Sequence, residues 1–147
     1  MKIAIASDHG GLNLRAHLVE QLTEAGHELL DLGPKNNASV DYPDFAKLVT
    51  NAVLSGAVER GILVCGTGQG MAMAANKVPG IRAAVVSDTF SAKMAMEHNA
   101  ACVLCLGERV LGVSLAQRCV EAWLGTSFEG GRHERRVRKI EGIVESI

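Results

Sequence analysis

A cysteine stands at the head of a glycine-rich segment in RGILVCGTGQGM, residues 60–71. Cys65 ends an apolar run, and Gly66, Gly68 and Gly70 follow it. Glycines lack a Cβ atom, so this backbone can turn sharply and direct successive N–H groups at a negative charge. A thiolate beside fixed N–H donors can attack a carbonyl, or remove a proton from the carbon next to one while the donors hold the oxyanion. The segment therefore predicts an oxyanion cradle with Cys65 as base or nucleophile.

Familiar phosphate-binding loops do not fit this segment. A Walker A loop requires GK[ST] after its glycines, and these residues are missing. A dinucleotide fingerprint needs a third glycine, and a phosphatase-type loop an arginine, where Met71 stands. Two alternatives stay open: a glycine turn without a ligand, and a cysteine that serves only as a small hydrophobic residue. The hydroxyl of Thr67 could hydrogen-bond the Cys65 sulfur.

Two other pairs carry groups that could bind a sugar or move a proton. Asp8 and His9 follow the first apolar run, in SDHGG, where a carboxylate could accept hydrogen bonds from hydroxyls and an imidazole could carry a proton or contact phosphate. The alternative is a pair that caps a helix. His98 and Asn99 stand at the end of a predicted helix, where asparagine often only accommodates a turn.

The C-terminal segment GGRHERRVRKIEGIVESI is the one basic cluster. Arg132 and Arg136 are four residues apart, so on a helix they share a face and could hold a phosphate dianion. Nucleic-acid binding is the rival interpretation, but acidic residues dilute the charge and no aromatic platform accompanies it. An apolar stripe beside the arginines needs cover from its own domain or from a second subunit; it comprises Val137, Ile140, Val144 and Ile147.

Short apolar runs alternate with segments of helical period, which is typical of an α/β protein with a parallel sheet and crossover helices. The predicted strands are Lys2–Ser7, His27–Leu32, Gly61–Cys65, Ile81–Ser87 and Ala101–Leu106. The predicted helices are Leu12–Ala25, Pro43–Leu54, Gly70–Lys77, Thr89–His98, Val113–Leu124 and Arg132–Ile147. In the first helix a buried stripe is expected at Leu14, Leu18, Leu22 and Ala25. Because ligands bind at the carboxyl ends of such strands, the SDHGG and CGTGQG loops face one crevice if their strands are neighbours.

Chain length, net charge and cysteine content limit the classes of protein to which this sequence could belong. A chain of 147 residues predicts one domain, residues 1–147, with one core. A net charge of −1 predicts neither nucleic-acid nor membrane partners. The N-terminal apolar run is too short for a signal peptide, so we expect a cytoplasmic protein whose four cysteines stay reduced. Cys102 and Cys105 form a CxxC within an apparently buried strand, which leaves a redox role as an alternative.

Taken together, the motifs resemble the ribose-5-phosphate isomerase B family, which also contains galactose-6-phosphate isomerase subunits. The matching segments are SDHGG at 7–11, DYPDFA at 41–46, CGTGQG at 65–70, ANKVPGIRAA at 75–84, EHN at 97–99, LGERV at 106–110 and WLGTSFEGGRH at 123–133, with Arg136 beyond them. The resemblance implies a Rossmann-like three-layer α/β/α sandwich with a five-stranded parallel sheet. It also implies aldose-ketose isomerisation of a sugar phosphate, without metal or other cofactor, in sites shared by a homodimer, some dimers pairing into tetramers.

The resemblance also assigns roles by position. Cys65 matches the base that moves a proton between C1 and C2 of ribose 5-phosphate, assisted by Thr67, and His98 matches the residue that opens the sugar ring. The other matches are substrate contacts: Asp8, His9, Tyr42, Gly66, Gly68, Gly70, Asn99, Arg109, Arg132 and Arg136, of which His9 and the three arginines match the phosphate grip. A six-carbon sugar phosphate such as allose or galactose 6-phosphate remains open, as does a nucleotide- or phosphate-binding module without catalysis.

Overall fold

The computed structural model describes residues 1–145, and the side chains of residues 1–142. Its elements alternate along the chain as β1 (Lys2–Ser7), α1 (Leu12–Glu24), β2 (Glu28–Asp31), α2 (Tyr42–Leu54), β3 (Arg60–Cys65), α3 (Gln69–Ala75), β4 (Ala83–Val85), α4 (Thr89–Glu97), β5 (Val103–Gly107), α5 (Val113–Leu124) and α6 (Arg132–Glu145). The five strands form one parallel sheet in the order β2-β1-β3-β5-β4. The predicted α/β class and the five parallel strands are confirmed.

The boundaries of several elements differ from the predictions. The largest difference is β4, which was predicted over Ile81–Ser87 and spans three residues. As an edge strand it pairs only with β5, and the flanking N–H groups of Ile81 and Arg82 bond instead to Val78 O and Cys102 Sγ. The predicted strand at Ala101 begins two residues later, so Cys102 lies outside β5. The predicted end of the last helix, Ile147, lies outside the described residues.

Helices cover both faces of the sheet and divide the core in two. On one face, α1, α4 and α5 pack on the large apolar side chains of the strands, with Trp123 fully buried among them. On the other face, α2 and α3 pack on smaller residues, and Cys65 belongs to this layer. In α1, three of the four residues of the predicted stripe are buried, whereas Ala25 is exposed because it caps the helix end beside Gly26, whose φ is +91°.

The pairing of β1 with β3 determines where the loops meet. Ser7 is in register with Val64, so the next residues, Asp8 and Cys65, leave the sheet side by side at its carboxyl edge. This confirms that the SDHGG and CGTGQG loops face one crevice. A connection between parallel strands brings the chain back to the amino edge, so the end of α4 lies at the edge opposite Cys65.

Arg82 lies immediately before β4, and its contacts confirm that the end of α4 lies at the amino edge of the sheet. Its Nε donates to Asn99 O at 3.0 Å and its Nη2 to Ala100 O at 3.0 Å. Arg82 also pairs with Glu141, which holds α6 at the same edge. Within α6, Val137 is 9% exposed and Ile140 is 44% exposed, while the side chains of Val144 and Ile147 lie outside the described residues. Across residues 1–145, no helix combines the length and the apolar character that a membrane span requires.

Candidate active site

Cys65 ends β3 with its side chain 5% exposed. The backbone N–H of Gly68 donates to Cys65 Sγ at 3.1 Å. Gly68 has a φ of +81° and a Cβ atom there would lie 3.1 Å from the carbonyl carbon of Leu106, so this turn suits glycine alone. A hydrogen bond is stronger when its acceptor is charged, so this donor favours a thiolate at Cys65.

The backbone around Cys65 is packed closely by the residues that the sequence singled out. A Cβ atom at Gly66 would lie 3.2 Å from Arg109 Nη1, and one at Gly70 would lie 2.8 Å from Tyr42 Cζ. The N–H of Arg109 donates to Gly66 O at 3.1 Å, which ties the loop after β5 to the cradle. The structure therefore brings Arg109 and Tyr42 to the walls of the cradle.

Thr67 has a different partner from the one expected. Its Oγ1 accepts a hydrogen bond from the N–H of Gln69 at 3.3 Å, and the side chain is exposed. This contact orders the first turn of α3. Assistance of the Cys65 thiolate by Thr67 stays a prediction.

Asp8 lies directly beside the cradle. It is 9% exposed, and its Oδ1 accepts from the N–H of Gly10 at 2.8 Å. A Cβ atom at Gly10 would lie 3.2 Å from Asp8 Oδ1 and 3.3 Å from Gly66 N, so the two loops are in contact. The neighbouring His9 is exposed, and its Nδ1 accepts from the N–H of Val40 at 3.2 Å. In the neutral imidazole the proton is then on Nε2, which can donate to an anion.

The predicted site residues divide into two groups. The carboxyl-edge group surrounds Cys65 and consists of Asp8, His9, Tyr42, Cys65, Gly66, Thr67, Gly68, Gly70 and Arg109. The amino-edge group consists of His98, Asn99, Arg132 and Arg136. A strand of five residues advances about 17 Å, so one chain does not bring the two groups together.

Two residues that sequence reasoning missed belong with the amino-edge group. The ring of His133 is 5% exposed and stacks on His98, with centroids 4.1 Å apart and planes inclined by 10°. Glu129 Oε2 lies 3.4 Å from His133 Nε2 and 3.8 Å from His98 Nε2. Both residues lie in the WLGTSFEGGRH segment, which was recognised as a motif, but only Arg132 and Arg136 were considered there. A histidine beside Arg132, which was predicted to hold a phosphate, was the available signal.

Burial lowers the pKa of His133, and electrostatic interactions with His98, Arg132 and Arg136 act in the same direction, while Glu129 opposes them. The His133 imidazole is therefore neutral at neutral pH. As an acceptor, its Nε2 takes a hydrogen bond from Arg132 Nε at 3.5 Å.

The donor atoms of His98, Glu129 and His133 lie within 4.8 Å of one another, a spacing that a metal ion could span. However, imidazole nitrogens coordinate in the plane of the ring, and the planes of the two stacked rings are nearly parallel. Their lone pairs do not converge on one point. The described geometry thus suits stacking rather than coordination.

The two CxxC cysteines lie in different surroundings. All four cysteines are free. Burial raises the pKa of Cys105, with the neighbouring Cys65 acting in the same direction, so Cys105 is a poor thiolate. Cys102 is half-buried, and its sulfur contacts the N–H and carbonyl of Arg82 at 3.5 Å and 3.6 Å. Both thiols were expected in a buried strand, and only Cys105 is.

Comparison with known proteins places the chain among isomerases. A family model described as Ribose/Galactose Isomerase matches residues 3–140. Ribose-5-phosphate isomerase B of Escherichia coli is 47% identical over 142 residues, which cover 97% of this chain and 95% of that protein.

Solved structures agree with this comparison. The structure of Clostridium thermocellum ribose-5-phosphate isomerase B matches with a TM-score of 0.98 at 53% identity, over 99% of both chains. The Mycoplasma genitalium ribose-5-phosphate isomerase B, solved with bound ribulose-5-phosphate, matches with a TM-score of 0.95 at 44% identity, over 99% of this chain and 97% of that one.

Proposed function

Because the chain belongs to the ribose/galactose isomerase family, we propose that it interconverts ribose 5-phosphate and ribulose 5-phosphate through an enediolate. The observation that carries the proposal is the hydrogen bond from Gly68 N–H to Cys65 Sγ, close to Gly10, whose near neighbours are Asp8 Oδ1 and Gly66 N. It puts a base, backbone N–H donors and a carboxylate around one small volume. The relatives named above support the choice of a five-carbon substrate.

The chemistry moves one proton between two carbons. The Cys65 thiolate removes the proton from C2 of the open-chain aldose, and the electron pair passes toward the C1 carbonyl oxygen. The N–H groups of residues 66–70 stabilise the oxyanion, and each such donor is worth ~3 to 4 kcal/mol in comparable sites. Cys65 returns the proton to C1 while the hydroxyl proton passes from O2 to O1, which yields the ketose. No metal or other cofactor takes part in these steps.

The remaining site residues bind and prepare the substrate. Asp8 accepts hydrogen bonds from the sugar hydroxyls, and Thr67 assists the thiolate. Tyr42 and Asn99 contact the sugar. His98 opens the furanose ring by moving a proton from the O1 hydroxyl toward the ring oxygen. The phosphate is held by His9, Arg109, Arg132 and Arg136.

These roles require two copies of the chain. His98 and Cys65 lie at opposite edges of the sheet, so we propose a homodimer in which one protomer supplies the carboxyl-edge group and its partner the amino-edge group. Exposed apolar side chains support an interface close to the cradle: Tyr42 at the cradle wall is 40% exposed and Met73 in α3 is 67% exposed. Such dimers could pair further into a tetramer. The four free cysteines favour a reducing, cytoplasmic location.

The test is conversion of ribose 5-phosphate to ribulose 5-phosphate in excess chelator by wild type, Cys65→Ala and Cys119→Ala. Cys119 is a matched control because it is a buried thiol on the other face of the sheet. We expect chelator-resistant conversion that falls by about 10²- to 10⁴-fold in Cys65→Ala and persists in Cys119→Ala.

Each other result would count against part of the proposal. Activity that survives in Cys65→Ala would contradict the base. A wild type active only on allose or galactose 6-phosphate would contradict the five-carbon substrate. A protein without isomerase activity that nucleotides stabilise against heat, equally in Cys65→Ala, would instead be a binding module.

A further inference from the structure

His133 has no role in the proposed reaction, yet it contacts two residues that do. Its buried ring stacks on His98, and its Nε2 accepts a hydrogen bond from Arg132 Nε at 3.5 Å. The His133 side chain therefore connects His98, which is assigned to ring opening, with Arg132, which is assigned to phosphate binding. Arg132 precedes His133 in the chain, whereas His98 comes from the end of a different helix.

The backbone fixes both sides of this stack. The N–H of Glu129 donates to Glu97 O at 2.9 Å, which attaches the segment before α6 to the last turn of α4. The N–H of His133 donates to Gly130 O at 3.0 Å, in a turn where Gly130 has a φ of +72°. The ring of His133 is thereby carried to the end of α4.

Charged groups lie close to both rings of the stack. His98 Nε2 faces Glu97 Oε1 at 3.9 Å and Glu129 Oε2 at 3.8 Å. His133 Nε2 lies 3.4 Å from Glu129 Oε2 and accepts from Arg132 Nε at 3.5 Å. The lowered pKa of His133 keeps its ring neutral, so its Nε2 lone pair is available to Arg132.

We propose that His133 is a positioning residue: its ring holds His98 by stacking and its Nε2 holds Arg132 by accepting its N–H, so that ring opening and phosphate binding share one rigid support. The proposal rests on the proposed function. It assigns separate tasks to the two parts of the side chain. The ring face serves His98 and hence the cyclic aldose, whereas Nε2 serves Arg132 and hence the phosphate of either sugar.

Two variants separate these tasks. His133→Phe keeps a flat ring for stacking but loses the acceptor, and His133→Ala loses both. His17→Phe is the matched control, since His17 lies on α1 and contacts Gln117. Thermal melting and light scattering first establish that each variant is folded and has the wild-type assembly state.

Two assays report the two tasks. Conversion of ribose 5-phosphate requires ring opening. Exchange of deuterium from D₂O into C1 of ribulose 5-phosphate does not, because this ketose is acyclic when O5 carries the phosphate. We expect His133→Phe to raise KM for both sugar phosphates on the order of ten-fold with little change in kcat, since it removes a hydrogen bond to a charged group. His133→Ala should in addition lower kcat for ribose 5-phosphate while kcat for exchange is retained.

The outcomes distinguish the two proposals. If wild type neither isomerises nor exchanges, the proposed function fails. If wild type is active and both His133 variants match it in KM and kcat, the positioning role is wrong while the function stands. If folded His133→Ala loses kcat for conversion and kcat for exchange in equal proportion, His133 is merely structural and the proposal is also overturned. If only His133→Phe folds, an unchanged KM in that variant is sufficient to refute the link to Arg132.

Discussion

At the scale of single residues, the cradle depends on close approaches that only glycine permits. The Tyr42 ring occupies the space that a side chain at Gly70 would need. Three atoms of this ring, which belongs to α2, lie 2.8 to 3.1 Å from the position of such a Cβ atom. Tyr42 and the loop after Cys65 therefore constrain each other.

We predict that Gly70→Ala displaces Tyr42 and lowers kcat/KM for ribose 5-phosphate by at least about ten-fold, because the added Cβ would be 2.8 Å from Tyr42 Cζ. Steady-state kinetics measure the effect. Gly112→Ala is the control, since a Cβ there meets nothing within 4 Å. Equal kinetics in the two variants would show that Tyr42 does not shape the site.

The buried His133 should also make stability depend on pH. Burial lowers its pKa below the unfolded value of 6.5, so between the two values the unfolded chain binds a proton that the folded chain does not. Stability from the neutral ring is present above about pH 6.5 and is lost as the pH falls toward the folded pKa.

We therefore predict that the melting temperature of wild type falls more steeply below about pH 6.5 than that of His133→Phe, which cannot titrate. Melting curves from pH 7.5 to 5 measure this, with His17→Phe as the control for loss of a histidine elsewhere. A wild-type slope retained in His133→Phe would assign the effect to another group.

At the scale of elements, the loop after β5 contacts both the start of α1 and the cradle. Glu108 Oε2 accepts from the N–H of Leu14 at 2.8 Å and its Oε1 from Asn13 Nδ2 at 3.2 Å, so a distant carboxylate caps α1. Gly11, the residue before that helix, provides no side-chain cap. The same loop carries Arg109 to the cradle. Capping of α1 and placement of Arg109 are thus linked through adjacent residues.

We predict that Glu108→Ala destabilises the protein by about 1 kcal/mol, as loss of a helix cap does, and lowers the melting temperature by roughly 2 to 4 °C. Glu108→Gln, which keeps an acceptor, should fall between it and wild type. Glu121→Ala is the control, because Glu121 accepts only a surface hydrogen bond from Gln117. If the two alanine variants melt together, the α1 cap contributes nothing measurable.

At the scale of the whole molecule, the sheet separates groups that the proposed reaction needs in one place. Cys65 is at the carboxyl edge, and His98 follows a helix that returns to the amino edge. The separation is a consequence of parallel strands, because each crossover helix must run back along the sheet before the next strand begins. A second copy of the chain is the simplest source of the missing group.

We predict that Cys65→Ala and His98→Asn, each nearly inactive, regain activity when their subunits are exchanged. In a dimer with shared sites, half of the mixed dimers are heterodimers with one complete site, so about a quarter of wild-type activity should return. Mixing Cys65→Ala with Thr67→Ala is the control, because both residues lie in the carboxyl-edge group. No recovery in exchanged mixtures, or a monomer by light scattering at micromolar concentration, would contradict the shared site.

The sequence by itself determined the alternation of strands and helices, the carboxyl-edge position of the SDHGG and CGTGQG loops, and the family resemblance. These are local properties: hydrophobic period, glycine spacing and the rule that parallel strands end at one edge. The pairing of β1 with β3, which the sequence analysis left as a condition, then put Asp8 beside Cys65.

Only the tertiary structure decided which polar groups share a neighbourhood. The stack of His98 on His133, the carboxylate of Glu129 between their nitrogens and the cap that Glu108 provides for α1 join residues separated by up to 95 positions in the chain. The length of β4 is also decided by tertiary structure, because it depends on how many of its residues pair with β5. Such contacts depend on packing between elements, and no local period or spacing in the sequence encodes them.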